Sequence, residues 1–239
     1  AYLAATVNDG SQSGYPGTYF VLTADLDMTD VDWTPIGNMA DMENYTTLFL
    51  GTFDGQGHTI RNFTYENDQF IVGAGIFGIS VGEIKNVNIK DAVVHCTDGG
   101  SMAIGSLVGY NMGSVTGCTV VNADVLGNNC TGGLIGGDVG PVTDCSATNV
   151  SVTVIGDNDF SEGLVQCDIA ECGGLLIGGG FGGTIANCTA QGTVKAEGNE
   201  PVGMGGIGGC LEMMDSITNC TADVTITSVK GGHAIGGLC

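Results

Sequence analysis

The strongest constraint on this sequence is an internal repeat. A five-residue segment begins with Val or Ile, carries an apolar residue or Cys at its fourth position, and ends with Asn, Ser or Thr. The segment occupies residues 60–64, 84–88, 115–119, 142–146, 185–189 and 217–221. Its fourth positions are Phe63, Val87, Cys118, Cys145, Cys188 and Cys220. Self-similarity at intervals of a few tens of residues is typical of chains that fold into stacked units.

A second, glycine-rich block precedes most of these segments. It has the form Gly-Leu-Ile-Gly with variants, as at residues 105–109, 133–136 and 174–178. Successive fourth positions of the first segment are 24, 31, 27, 43 and 32 residues apart. Fixed local blocks at variable spacing indicate coils that accept insertions. Each block alternates apolar and polar residues, as a strand with one buried face does.

Stacking of these repeats predicts the fold class. One repeat cannot bury its apolar face alone, so successive repeats must pair as parallel strands about 4.8 Å apart. Equivalent side chains then lie above one another, and the six fourth positions form a structural ladder inside the coil. The sequence predicts an all-β parallel β-helix (a solenoid) of about six coils, with roughly three short strands per turn. We expect residues 1–37 to form an N-terminal cap with the first strands, and residues 38–239 to form the β-helix.

The same blocks resemble a known family. Residues 17–28, 33–37 and 51–62 resemble the start of bacterial surface proteins with GLUG-motif repeats. The glycine blocks that follow resemble the repeats of those proteins. The resemblance extends over about residues 19–238. It implies a right-handed β-helix, a secreted or cell-surface location, and a relation to adhesins and to large surface enzymes such as IgA proteases. It implies no catalytic residues, because the GLUG motif contains none.

The charge of the chain excludes several classes of partner. Lys and Arg total 5 against 26 Asp and Glu, for a formal net charge of −21. An acidic surface of this kind repels phosphate backbones and anionic lipid, so we expect no nucleic-acid partner. Polyuronate substrates are disfavoured for the same reason. No apolar run reaches the roughly 18–20 residues of a membrane helix, so we expect no membrane insertion.

The longest interval of the repeat contains a candidate binding loop. It is 43 residues long, which places an inserted loop at about residues 156–171. Inserted loops on rigid scaffolds often carry binding function, and Ca²⁺ prefers carboxylate oxygens. Asp157, Asp159 and Glu162 are therefore the candidate Ca²⁺ ligands, and a solvated loop is the alternative. No other cofactor is predicted.

Candidates for catalysis are few. Residues 78–82 match the G-x-S-x-G nucleophile elbow through Ser80, but equivalent corners of the repeat lack the serine and no helix pattern follows. His58, His95 and His233 occupy unrelated positions of the repeat. Paired carboxylates can hydrolyse glycosides, but 26 acidic residues form such pairs by chance. We expect a protein without enzyme activity.

The ten cysteines fall into two groups. The four in the ladder should behave as small buried apolar residues and stay reduced, because parallel neighbours are poorly oriented for a bridge. Outside the ladder, Cys130 and Cys172 occupy equivalent positions of adjacent repeats, and Cys167 offers Cys172 a second partner. Cys210 and Cys239 flank equivalent strands near the C-terminus. The sequence does not choose among these pairings.

Together these features predict a non-enzymatic bacterial module, extracellular or at the cell surface. It would be an adhesin or stalk segment whose loops contact a host protein or a glycan. The alternative is a carbohydrate-binding or carbohydrate-cleaving β-helix of glycosidase or lyase type. An aromatic content of 6% favours the stalk, because sugar platforms need exposed rings. The chain stops on a repeat block without a polar cap, so we expect a fragment of a longer protein, in which further repeats or a partner cover this end.

Overall fold

The computed structural model of the chain describes residues 2–40, 44–155, 171–197, 203–229 and 234–239. Within these ranges it contains one short helix, α1 (Tyr2–Asn8), and strands that stack into four sheets. The strand pairings described are parallel, and they build a solenoid of about six turns. The predicted all-β, parallel β-helical class is therefore confirmed.

Each sheet takes one strand from each successive turn. Sheet 1 contains β1 (Tyr19–Val21), β3 (Thr52–Asp54), β8 (Glu83–Lys85), β12 (Ser114–Thr116), β16 (Val142–Thr143), β20 (Thr184–Ala186) and β24 (Ser216–Thr218). Sheet 2 contains β2 (Leu26–Asp27), β4 (Thr59–Arg61), β5 (Thr64–Asn67), β9 (Asn88–Cys96), β13 (Thr119–Gly127), β17 (Ser146–Val154), β21 (Thr189–Ala196) and β25 (Thr221–Ser228). Sheet 3 contains β6 (Val72–Ala74), β10 (Met102–Ile104), β14 (Asn129–Gly132), β18 (Cys172–Gly174), β22 (Gly203–Gly205) and β26 (Ala234–Ile235). Sheet 4 contains β7 (Phe77–Ser80), β11 (Val108–Asn111), β15 (Ile135–Asp138), β19 (Ile177–Phe181) and β23 (Gly208–Glu212).

A complete turn has four strands, whereas the sequence predicts about three. The difference lies in the glycine block, for which the sequence pattern predicts one strand. In the turn formed by β10 to β13, a bend at residues 105–107 divides this block between sheet 3 and sheet 4. Leu107 points into the core from the bend and is fully buried. The block is therefore a corner with one short strand on each side.

The last glycine of the block is required by a close backbone approach. A Cβ on Gly136 would lie 2.2 Å from the backbone nitrogen of Ile104, and one on Gly178 would lie 2.4 Å from the backbone carbon of Cys130. Both contacts join sheet 4 to the sheet 3 strand of the preceding turn. Two backbones at this separation leave no space for a side chain, which explains why the motif has glycine here.

The register places the ladder cysteines in one column. Along sheet 1, direct partners from turn to turn are Val115, Val142, Ile185 and Ile217. Along sheet 2, direct partners are Thr119, Ser146, Thr189 and Thr221. Each cysteine lies between these two paired positions. Val87 occupies the same place one turn earlier, between Ile84 and Asn88.

Phe63 does not belong to this column, contrary to the alignment made from sequence. Thr64 pairs with Val93, so Phe63 lies beside Ala92, in the middle of sheet 2. Two corners of most turns share one pattern, in which an apolar residue is followed by any residue, then by Asn, Asp or Gly, then by an apolar residue or Cys. The first turn also has a longer connection between β3 and β4. The sequence alignment matched one corner of the first turn to the other corner of later turns.

Both corners place a residue in the left-handed region of backbone conformation. Between sheets 1 and 2 these residues are Asn86, Gly117, Asp144, Asn187 and Asn219, with φ between 53° and 62°. Within sheet 2 they are Asn62, Asp91, Asn122 and Asn149, with φ between 53° and 56°. Asn, Asp and Gly tolerate this region best. The corners are therefore encoded by residue type.

The core is continuous along the molecule, and α1 covers its N-terminal end. Ala4 and Val7 of α1 join the same buried cluster as the inward residues of the sheets. Asn8 fixes the helix by donating to the Pro35 carbonyl and accepting from the Gly37 amide. Strands β1 and β2 also fall within the predicted 1–37 cap and pair with β3 and β4. In the described part of the chain, no helix has the length and apolar character to cross a membrane.

Candidate functional site

The outward surface of sheet 2 presents polar side chains in columns. Thr119, Ser146, Thr189 and Thr221 form one column, with Asn88 in the preceding turn. The Thr119 hydroxyl donates 2.7 Å to the Asn88 side-chain oxygen. The alternation of exposed and half-buried residues in β25 shows why: every second side chain faces the core side of the sheet, so its neighbours face solvent. This surface can offer repeated hydroxyl and amide groups to a partner.

Amide groups at the left-handed corners satisfy carboxylates of neighbouring turns. Asn187 donates 2.9 Å to Asp144, and Asn122 donates 2.9 Å to Asp91. Each bond joins one turn to the next along the axis of the solenoid. A share of the acidic residues is therefore held by amide donors, which the charge count alone does not predict. The Asn, Asp or Gly before each ladder residue from Val87 to Cys220 is the signal that could identify these corners.

A shallow groove lies where β5 meets the end of β9. It has a volume of about 460 Å³ and is lined by Glu66, Asn67, Asp68, His95 and Thr97. Glu66 and His95 are direct neighbours across the two strands. The His95 Nε2 atom lies 3.1 Å from Asp124 on the following turn. The groove combines two exposed carboxylates with an imidazole held by a third.

A second surface cluster is built on the first strands of sheet 1. The Lys85 ammonium lies 5.3 Å from the centre of the Tyr19 ring and 2.8 Å from Glu83. The Tyr19 hydroxyl donates to Asp54, and this bond raises the pKa of Tyr19. Tyr19 is 55% exposed as a residue, so this cluster presents an aromatic side chain flanked by charge to the solvent.

Asp138 is fully buried at a corner of the solenoid. Asp138 follows Asn111 and Ser80 in the register of sheet 4. The Asn111 amide donates 2.6 Å to Asp138 Oδ1, while Oδ2 lies buried with no hydrogen-bond partner. Burial raises the pKa of Asp138 to about 7. This carboxyl can gain or lose its proton near neutral pH.

The residues considered for a hydrolytic site are not brought together. Ser80 is fully buried, and its hydroxyl has no hydrogen-bond partner among the described residues. His58 instead contacts Asp25 at 3.1 Å, and His95 contacts Asp124. His233 lies outside the described residues. The G-x-S-x-G match is therefore a corner of the repeat, as its recurrence without serine indicated.

The predicted Ca²⁺ ligands Asp157, Asp159 and Glu162 also lie outside the described residues, as does most of the predicted 156–171 loop. Elsewhere, the part of the chain that the structure describes contains no group of three or more His, Cys, Asp or Glu side chains arranged to hold a metal ion. The acidic residue Asp27 near the N-terminus accepts hydrogen bonds from Thr29 and Asn62 and pairs with Arg61, and these bonds lower its pKa.

The ladder thiols are bound to backbone groups. Cys145 Sγ lies 3.7 Å from the Val115 carbonyl oxygen of the preceding turn and 3.2 Å from that of Thr143. Cys188 repeats this arrangement with Val142 and Ala186. The neighbouring ladder thiol and burial raise the pKa of Cys188. Thiols in this state are weak nucleophiles, so the ladder is a packing feature.

Comparisons with known proteins agree with this architecture. The GLUG motif matches residues 100–125 and 169–195. A crystal structure of a "putative immunoglobulin A1 protease" from Bacteroides ovatus superposes with a TM-score of 0.67 at 24% sequence identity, covering 92% of this chain and 67% of that one. No curated protein sequence matches the chain significantly.

The stacked sheets and the two-corner turn define the chain as a parallel β-solenoid. More particularly, it is a β-solenoid with matches to the GLUG motif at two positions. The likeness to the Bacteroides ovatus structure concerns the fold alone.

Proposed function

We propose that the chain is a non-catalytic recognition module that acts outside the cell or at its surface, as part of an adhesin or stalk. One observation supports this function above the others: rigid, in-register sheets hold columns of hydroxyl and amide groups outward, as in the column from Thr119 to Thr221. A surface fixed in this way loses little conformational entropy on binding, which favours recognition of extended partners.

The reactive groups of the described residues support a non-catalytic role. Ser80 is buried, and the ladder thiols are bound to carbonyl oxygens. Each of the two described histidines contacts an aspartate. The net charge of −21 favours neutral glycans or cationic protein surfaces as partners over polyanions.

A carbohydrate-cleaving or carbohydrate-binding function is the second candidate, and the groove at β5 favours it. Glu66 and Asp68 supply two carboxylates beside His95. The Phe70 side chain, two residues further along the chain, is 62% exposed. Carboxylate pairs and exposed rings are the groups that sugar-processing sites use.

A binding screen with product detection separates the two functions. The purified chain is applied to neutral glycans, mucin and immunoglobulin A1, and both bound protein and released sugar or peptide fragments are measured. The proposed function predicts saturable binding to at least one of these ligands without product. Turnover of any of them, with a defined pH optimum, contradicts the non-catalytic role.

Charge-matched variants locate the binding surface. One double variant, Glu66→Gln with Asp68→Asn, removes two charges from the groove. The control double variant, Glu212→Gln with Asp223→Asn, removes the same charge at the other end of the solenoid. Loss of binding in the groove pair alone assigns recognition, or cleavage, to the groove. An equal decrease in ligand binding by both double variants indicates non-specific charge effects. If the unaltered chain binds none of the ligands, the proposal is contradicted.

A further inference from the structure

Two thiols outside the ladder face each other across adjacent turns. Cys172 Sγ lies 3.3 Å from Cys130 Sγ. Thr131 pairs with Gly173 and Gly132 with Gly174, so Cys130 and Cys172 are themselves direct neighbours on β14 and β18. Neighbouring strands are about 4.8 Å apart, within the Cα separation that disulfides span.

This arrangement differs from that of the ladder cysteines. Cys118, Cys145, Cys188 and Cys220 each direct their sulfur at a carbonyl oxygen of the preceding turn. The bond recorded for Cys172 is to a second sulfur. Among the described residues, a sulfur–sulfur hydrogen bond joins Cys130 and Cys172, whereas the ladder thiols are hydrogen-bonded to carbonyl oxygens.

The surroundings of the pair are shaped to hold two sulfur atoms. Gly179 of sheet 4 lies against both, and a Cβ there would be 2.8 Å from Cys130 Sγ and 2.9 Å from Cys172 Sγ. Cys130 also has a φ of 48°, and the equivalent positions of the two preceding turns, Gly73 and Ala103, are left-handed as well, so three successive turns of sheet 3 share this conformation.

We propose that Cys130 and Cys172 form a disulfide between adjacent turns of the solenoid. The oxidant is an external disulfide, such as oxidised glutathione or an oxidoreductase in its disulfide form. Both thiols lose a proton, one sulfur–sulfur bond forms between them, and the two electrons reduce the external disulfide to two thiols. The ladder cysteines stay reduced under the same conditions.

Exposure sets the order of the two exchange steps. Cys130 is half-buried and reaches solvent, whereas Cys172 is fully buried. The Cys130 thiolate attacks the external disulfide and forms a mixed disulfide, with release of one thiol. The Cys172 thiolate then attacks Cys130 Sγ and displaces the second thiol. The neighbouring Cys130 thiol and burial raise the pKa of Cys172, which disfavours its thiolate form in the second step.

The bridge encloses the longest interval of the repeat. It joins the turns on either side of residues 156–170 and makes residues 131–171 a closed loop. Closing a loop of this length removes conformational freedom from the unfolded chain and stabilises the fold. An insertion can then be carried between two turns without weakening their pairing.

Peptide mapping after controlled oxidation tests the proposal. The intact, purified chain is equilibrated with oxidised glutathione at pH 8, its remaining thiols are alkylated after denaturation, and the linked peptides are identified without reduction. We expect the intact mass to fall by the mass of two hydrogen atoms. The peptide map should contain a single linked pair, Cys130 with Cys172. The oxidised chain should also have a higher urea midpoint than the reduced chain. A bridge from Cys172 to Cys167 or Cys210, or full alkylation of all ten cysteines, overturns the proposal.

Two variants control for loss of structure. Cys130→Ala should abolish the mass change while the circular dichroism spectrum stays that of the reduced chain. Cys210→Ala removes another half-buried thiol and should leave the mass change intact. A bridge that persists in Cys130→Ala, or one lost in Cys210→Ala, overturns the assignment.

Discussion

At the scale of single residues, the fold depends on positions where a side chain must be absent. The last glycine of the glycine block touches backbone from the preceding turn, as Gly136 does with Ile104 and Gly178 with Cys130. The sequence shows this glycine as a repeated letter and suggests a tight corner. The physical reason lies in a contact between distant residues, which no local pattern reveals.

Gly136→Ala should lower the free energy of unfolding by about 3 kcal/mol, because the three atoms nearest to the new Cβ are all backbone and cannot turn aside. Urea unfolding followed by circular dichroism measures the change. Gly237→Ala is the matched control, since a Cβ there meets nothing within 4 Å, and it should cost little. Equal stability of the Gly136 variant and the unaltered chain would show that sheets 3 and 4 are not packed as described.

A second prediction at this scale concerns Asp138. Its folded-state pKa of about 7 exceeds that of an unfolded aspartate, so the folded chain resists ionisation that the unfolded chain accepts freely. The folded chain is therefore most stable, with respect to this group, when Asp138 is protonated in both the folded and the unfolded state, which holds below about pH 4. Stability decreases as pH rises to about 7, by an amount on the order of 3–4 kcal/mol.

Asp138→Asn keeps an acceptor for the Asn111 amide and removes the titration. The variant and the unaltered chain should therefore be similarly stable at pH 4, and the variant should be more stable at pH 8. Urea midpoints across this range give the comparison. A stability difference that does not change with pH would mean that Asp138 ionises normally in the folded chain.

At the scale of elements, the strands and the alternation of buried and exposed residues are readable from sequence, but the number of strands per turn is not. The glycine block has the composition of one strand, yet it contains a bend. Phe63 was assigned to the wrong column because both corners of a turn share one local pattern. The groove at β5 was not predicted, because Glu66 and His95 meet only through strand pairing.

The left-handed corners give a prediction about elements. Asn187 donates to Asp144 and accepts from Asn219, and its φ is 56°. Asn187→Gly loses these two bonds but adopts the conformation freely. Asn187→Ala loses the bonds and also carries a conformational cost of about 1 kcal/mol. The expected order of urea midpoints is unaltered chain, Gly variant, Ala variant, and an Ala variant at least as stable as the Gly variant would contradict the corner conformation.

At the scale of the whole molecule, stacking concentrates acidic charge along one rigid body. With a net charge of −21, repulsion between turns destabilises the fold most at low ionic strength. The Debye length falls from about 30 Å at 0.01 M salt to about 8 Å at 0.15 M. The urea midpoint should therefore rise as NaCl increases from about 0.01 to 0.15 M. KCl at the same concentrations should raise the midpoint by the same amount. A midpoint that falls with added salt would show that attractive ion pairs dominate.

The central claim is that equivalent side chains of successive turns lie directly above one another. A long-wavelength anomalous map from crystals of the protein locates its sulfur atoms without reference to any structure. We expect the sulfurs of Cys118, Cys145, Cys188 and Cys220 to form one row along the molecular axis. Neighbouring sulfurs in this row should be about 4.8 Å apart, which is the spacing of parallel strands. Sulfur positions scattered across the molecule would contradict the solenoid and the recognition surface proposed on it.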